Sequence, residues 1–352
     1  ALDKIKKKKS ALTILTVFLI MQSFQLQSQD LENFEKNAFL FDSIIKADAF
    51  SKEHSNKFGQ LVIQDTGGRM KPANTFSSEL LRKVSKKDNY NGLNSDQVLL
   101  SIMNNPTIWY NVPLIYLKRG NDSIRKIIGL NTDIKYAPLL SFFDKKGNYK
   151  LALPLEQAYR ASVPNQFQKD FIELDRRVNL LYSALEGKVM RIFPIPDDVN
   201  NKWVSYPELS DSNFSGKDSL YVRNILPLYF QSLRLAQKDN DYDQADNLLE
   251  SISGFQKRFG GSILPSKDKI KSEILYNKYD IFKKLFSWYI YAGTLFFIVL
   301  IIQIFKSNKL IKLLGYMYSN SHYYYYFYCI PLDLLLDGLY QDMPRGETPM
   351  NR

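Results

Sequence analysis

The chain has 352 residues, 45% hydrophobic and 24% charged, with a formal net charge of +11, two histidines and one cysteine. That length allows one large domain or two small ones. A single cysteine excludes a disulfide framework, a CxxC thiol oxidoreductase and a CxxCH cytochrome, and the histidine count leaves no His/Cys/Asp cluster at zinc spacing.

The chain opens with the basic run KIKKKK and the apolar stretch SALTILTVFLIMQSF. Residues 1–29 are expected to form an N-terminal membrane helix or a cleaved signal-like segment, and either would export the region after it. The true N-terminus is left open. A second apolar stretch, LFSWYIYAGTLFFIVLIIQIF at 285–305, has 21 residues and no charge. That length fits a bilayer core of about 30 Å, so residues 283–312 are expected to be a transmembrane helix with a basic flank. Lys6 to Lys9 precede the first stretch, and Lys306, Lys309 and Lys312 come after the second. The positive-inside rule puts both clusters in the cytoplasm. Residues 30–282 then lie outside, which places the bulk of the chain in the periplasm and the anchor in the cytoplasmic (inner) membrane. The basic excess sits largely beside these segments, so the lipid bilayer is an expected partner and nucleic acid is not.

The region 30–282 reads as a mainly helical exported domain with a small β-hairpin element, within a mainly α membrane protein. Apolar spacing predicts a helix over 31–58. Leu61 to Ile63 read as a short strand, Thr66-Gly67-Gly68 as a tight turn and Arg69 onward as the return strand. Ser77 is expected to open a helix, and Asn94 or Ser95 to cap another that ends before Pro106. A strand pair is expected around SFFDKKGNYKLAL, with Gly147 in its turn. The longest helix is predicted to start at Pro164–Asn165. Its seam is Phe167, Phe171, Leu174, Val178, Leu181 and Leu185, and it ends near Gly187. RIFPIPDDVNNKW reads as a loop held by Pro194 and Pro196. Helices are expected next near 217–237 and 242–259, and PSKDKIKSEILYNKYDIFKKL leads into the apolar helix. Trp109, Trp203 and Trp288 are expected in cores or at the membrane interface.

Chemistry-bearing residues are few. His54 reads as a solvated histidine at a helix end, with haem contact as the weaker alternative. QDTGGRMKP lacks the GK[ST] ending of a phosphate-binding loop. Its motif residues are Gln64, Asp65, Gly68, Arg69, Lys71 and Pro72. A hairpin role for them is favoured over a grip by Arg69 and Lys71 on a carboxylate such as a haem propionate. No GxSxG, HExxH or SxxK is present, so no catalytic or metal residue is assigned.

Three segments carry a resemblance: HSNKFGQLVIQDTGGRMKPANTFSSELLRKVSKKDNYNGLNSDQVLL, RIFPIPDDVNNKW and KIKSEILYNKYDIFKKLFSWY. Together they resemble the exported region of fused ResB–CcsA (system II) cytochrome c biogenesis proteins. The resemblance implies haem as the cofactor of the intact protein. It also implies apocytochrome c and a ResB-like partner or fused half as partners, and cytochrome c synthase activity through a WWD segment absent here. No family haem ligand maps onto His54 or His322. The chain alone is therefore expected to be inactive, with no haem held in an ordered site. The competing expectation is a membrane-anchored periplasmic binding or scaffold module without catalysis.

The tail SHYYYYFYCIPLDLLLDGLYQDMPRGETPMNR has no helical or strand period. A Tyr codon is TAY, so each Tyr-Tyr junction read from its third base encodes Leu. That frame gives a leucine run over His322 to Cys329 and further on permits ISGHAPW-x-N-x-YES. This string comes after the next membrane helix in CcsA-like proteins. Residues 313–352 are therefore expected to be an out-of-frame tail, with His322 and Cys329 carrying no function, and the chain to be a fragment.

Overall fold

A computed structural model describes residues 36–279 and 281–305. The predicted segment 1–29, the lysine flank at 306–312 and the tail 313–352, with His322 and Cys329, lie outside the described residues. The chain divides into two units, Ala1–Lys278 and Tyr279–Arg352.

The first unit is mostly helical, with four small antiparallel strand pairs among the described residues. The helix predicted over 31–58 is broken. Helix α1 covers 36–47 and α2 covers Lys52–Phe58. Ser51 restarts the helix because its side chain accepts from the His54 backbone N–H. This lets the buried Phe50 turn into the core between the two helices.

Strands β1 (Val62–Gln64) and β2 (Met70–Pro72) pair as the glycines predicted, with Ile63 opposite Lys71. Helix α3 (Ala73–Ser85) starts earlier than Ser77, because Pro72 closes the strand and its fixed backbone angle leads straight into a helical turn. A two-residue hairpin, β3 (Asn89–Tyr90) with β4 (Leu93–Asn94), precedes α4 (Ser95–Asn104). Asn94 caps α4 with a reciprocal bond from Gln97, as the sequence signalled. After α5 (Pro106–Trp109), the pair β5 (Ile115–Tyr116) and β6 (Tyr136–Ala137) brackets α6 (Asp122–Ile128).

The strand pair expected around Gly147 shrinks to one bridge between Phe143 and Tyr149. Leu139–Phe142 is a 3-10 turn and α7 (Ala152–Arg160) begins soon after, so no room is left for strands. Pro154 hid α7 from the sequence reading, yet a proline in the first turn breaks no helical bond. Helix α8 (Gln166–Leu185) has the predicted Asn165 cap and buries Phe171, Leu174, Val178, Leu181 and Leu185 against α3 and α7. Phe167, at the head of the predicted seam, stays 47% exposed.

RIFPIPDDVNNKW is not only loop: β7 (Phe193–Pro194) pairs with β8 (Trp203–Val204). The Asp198 carboxylate holds the turn by accepting from the Asn200 and Lys202 backbone N–H groups. Among the described residues of the unit the longest helix is α9 (Gly216–Asp239, 24 residues), not α8 with 20. It packs on α10 (Asp243–Phe259). Pro227 lies on its exposed side. Trp109 and Trp203 are buried in the core. Helix α11 (Lys267–Tyr279) buries no residue.

In the second unit, α12 (Ile281–Phe305) contains a stretch, Lys284–Ile302, long and apolar enough to cross a membrane. Most of the described large apolar side chains in this stretch, Trp288 at 70% among them, are exposed. A core helix would bury them, so α12 supports a membrane association of the chain.

Candidate functional site

The motif QDTGGRMKP folds as a hairpin turn built by Asp65. Its Oδ1 accepts from the backbone N–H of Gly67 at 2.9 Å and of Arg69 at 3.0 Å. Gly68 supplies the positive φ of +82° that the turn requires. The other motif side chains then point to three different neighbours.

Gln64 reaches the hairpin β7–β8. Its Oε1 accepts from the Trp203 backbone N–H at 2.8 Å, and its Nε2 donates to the Asn201 carbonyl at 3.0 Å. Gln256 of α10 completes the clasp from below. Its Oε1 accepts from Val62 N–H at 3.2 Å, and its Nε2 donates to the Val62 and Ile192 carbonyls at 2.8 and 3.0 Å. Two short hairpins, each too small to stand alone, are thus joined by two buried glutamines.

Lys71 is buried and pairs with Glu79 at 3.3 Å, with Asp65 at 3.8 Å. Burial works to raise the Glu79 carboxyl, but Lys71 and Lys83 outweigh it and hold it below the usual carboxylate range. Arg69 points elsewhere, with its Nη2 3.2 Å from Glu273 of α11. The carboxylate grip weighed for Arg69 and Lys71 therefore exists inside the chain, divided between two glutamates.

His54 is the second candidate, and the solvated reading of it is wrong: the residue is 1% exposed. Its Nδ1 lies 2.6 Å from Asp246 Oδ1 on α10 and its Nε2 lies 2.9 Å from the Tyr229 hydroxyl on α9. A carboxylate only accepts, so Nδ1 carries the proton. In the neutral ring Nε2 then accepts from the Tyr229 O–H. Tyr242 packs on the ring at 5.1 Å between centroids, and its hydroxyl accepts from Ser51 N–H. Lys57 closes the outer edge, donating to Asp246 Oδ2 at 2.6 Å. The short Ser51 break, not a free helix end, turns His54 inward.

Burial lowers the His54 pKa by more than the Asp246 hydrogen bond raises it. Burial pushes the Asp246 carboxyl up, but Lys57 and His54 together hold it below its ordinary value.

This setting does not fit haem. An axial ligand needs a free imidazole lone pair beside an open face, and both nitrogens of His54 are engaged in the interior. A cavity of about 20 Å³ beside Trp109, Ser101 and Asn105 has room for one water-sized molecule. Among the described residues, no group of three or more His, Cys, Asp or Glu side chains could hold a metal ion. The arrangement can tie α2, α9 and α10 together, but it presents no nucleophile to solvent.

Tyr229, Asp246, Gln256 and Glu273 escaped the sequence reading. Their partners lie 64 to 204 residues away, and no local spacing signals such pairs.

No family model matches the chain. Over 249 residues it is 30% identical to Protein NrfI of Wolinella succinogenes, a stretch that covers 70% of this chain and 26% of that protein. The likeness supports a cytochrome c biogenesis family. The chain spans about a quarter of the length of this curated relative.

Proposed function

We propose that this chain acts in cytochrome c biogenesis of the system II type, as an exported domain that positions its partners for haem attachment to apocytochrome c. The likeness to Protein NrfI over 249 residues carries the reading. In this proposal residues 30–282 occupy the periplasm, and α12 anchors them in the cytoplasmic membrane. A ResB-like partner or fused half and apocytochrome c are the proteins they meet.

The domain's own side chains support a positioning role over a catalytic one. His54, Asp246, Lys71, Glu79, Arg69 and Glu273 all have internal partners. Haem handling is assigned to a WWD segment of the intact protein. The test of the apocytochrome contact is direct: the full chain in detergent micelles is titrated with apocytochrome c and, separately, with the mature holocytochrome. Preference for the apo form is expected, and equal or no binding of the two removes apocytochrome c as a partner.

The out-of-frame reading of residues 313–352 is part of the same proposal. Resequencing of the DNA across codons 305–352 and beyond tests it. A single-base shift that opens CcsA-like sequence supports it, and a confirmed frame ends it.

A second reading, a periplasmic scaffold with no part in haem attachment, is favoured by the same internal pairing. It predicts normal cytochrome maturation when the domain is removed.

A further inference from the structure

The segment after Gly68 meets α11 through three polar side chains. Arg69 Nη2 lies 3.2 Å from Glu273 Oε1, and Thr75 Oγ1 donates to that same oxygen at 2.8 Å. Asn277 Nδ2 donates to Thr75 Oγ1 at 2.8 Å and lies 3.4 Å from Asn74 Oδ1. On α11 the half-buried residues from Ile270 onward are Ile270, Glu273, Ile274 and Asn277. Their spacing of three, four and seven makes one stripe along the helix. The opposite side carries Leu275, Tyr276 and Tyr279, each about half exposed.

We propose that the hairpin motif is a docking surface for α11 and that the pair works as a reversible latch, with Arg69 and Glu273 as its switchable contact. Three observations carry the reversibility. No residue of α11 is buried, so release exposes little apolar surface. The Arg69 side chain is 56% exposed, and an ion pair in that setting contributes little and is screened by salt. Its neighbour Lys71, two residues on, is 7% exposed and holds Glu79 instead, so the hairpin keeps its shape when α11 leaves. Elements held this way sit at the low end of local stability, where moving parts are found. Helix α11 ends at Tyr279 and α12 starts at Ile281. The latch therefore governs whether the hairpin grips the chain where it enters the apolar helix. The inference goes beyond the biogenesis reading and does not rest on it.

Two spin labels test the latch in the full chain in detergent micelles. One is placed at Ser123→Cys on α6 and one at Ser272→Cys on α11, both exposed, with Cys329→Ser removing the native thiol. The distance distribution is expected to hold a docked and a longer population. In Arg69→Ala the longer-to-docked ratio should rise about three- to fivefold, the factor for losing an exposed ion pair. High salt should move the wild type the same way. Glu273→Gln, which keeps the shape of the contact, should shift the ratio in the same direction by less. Circular dichroism checks that each variant is folded. A single distance that neither salt nor either variant changes overturns the latch, as does a wild type with no docked population.

Discussion

His54 Nδ1 and Asp246 Oδ1 lie 2.6 Å apart and join α2 to α10 through residues 192 apart in sequence. The bond is what α2 has in place of length. Seven residues cannot hold a helix in water, so α2 depends on what its buried face, His54, Ser55 and Phe58, can reach. Asp246→Ala leaves the His54 N–H buried without an acceptor and takes from Lys57 its nearer carboxylate. It should cost about 2–3 kcal/mol in urea unfolding. Glu53→Ala, on the exposed side of the same helix, should change stability by less than about 0.5 kcal/mol.

The same histidine gives the fold a pH dependence. Its pKa is lowered in the folded state, so the unfolded chain binds the extra proton. Stability should be full above the ordinary histidine pKa of 6.5 and should fall as pH drops below it. Asp246, held below its ordinary 3.8, adds a second loss only as pH falls below that value. Urea midpoints at about pH 8, 6.5 and 5 should therefore descend in the wild type. In His54→Phe, whatever its absolute stability, most of the step between the two lower values should vanish.

Gln256 serves three buried backbone groups at once: Val62 N–H, Val62 C=O and Ile192 C=O. Gln256→Leu keeps the volume and strands all three. It should cost about 3 kcal/mol or more, against about 1 kcal/mol for an ordinary hydrogen bond. Gln64→Leu strands the Trp203 N–H and the Asn201 C=O and should cost less. Denaturant midpoints of the two variants, measured side by side, check the order.

Two glycines separate strain from space. Gly68 has φ of +82° with nothing within 4 Å of an added Cβ, so Gly68→Ala should cost only about 1 kcal/mol. At Gly59 the backbone is ordinary, but a Cβ would stand 2.6 Å from Asp96 Oδ2 and 3.3 Å from Asn74 Cβ. Asp96 is fixed there by Ser77 and by Asn74 Nδ2, so it cannot step aside. Gly59→Ala should be the more damaging of the two, by about 1–3 kcal/mol.

How far the sequence speaks depends on the range of the interaction. Asn94 with Gln97 and Asn165 with Gln168 are caps three residues apart, and both helix starts were legible. The Asp65–Gly68 turn was legible for the same reason. The α8 seam from Phe171 to Leu185 was visible because burial on a helix has a period. The break at Ser51 was not, since apolar spacing runs on through Ala49 and Phe50. Strands of two residues, such as Phe193–Pro194 with Trp203–Val204, carry no alternation to detect. The fate of His54 was the deepest miss. It sits in the first turn of the separate helix α2 rather than at the end of a 31–58 helix, and its burial is decided by Tyr229, Tyr242 and Asp246, which arrive from the other end of the domain. The hairpin role of QDTGGRMKP was legible, whereas the division of Arg69 to α11 and Lys71 to α3 was not.

The central claim is that this domain serves haem attachment. The most direct measurement is covalent haem in c-type cytochromes after an in-frame chromosomal deletion of codons 30–282 that leaves the flanking segments in place. Haem-stained holocytochrome should fall to background while the apocytochrome is still made and exported. Holocytochrome at the wild-type level in that strain would contradict the account and leave the domain as a scaffold for something else.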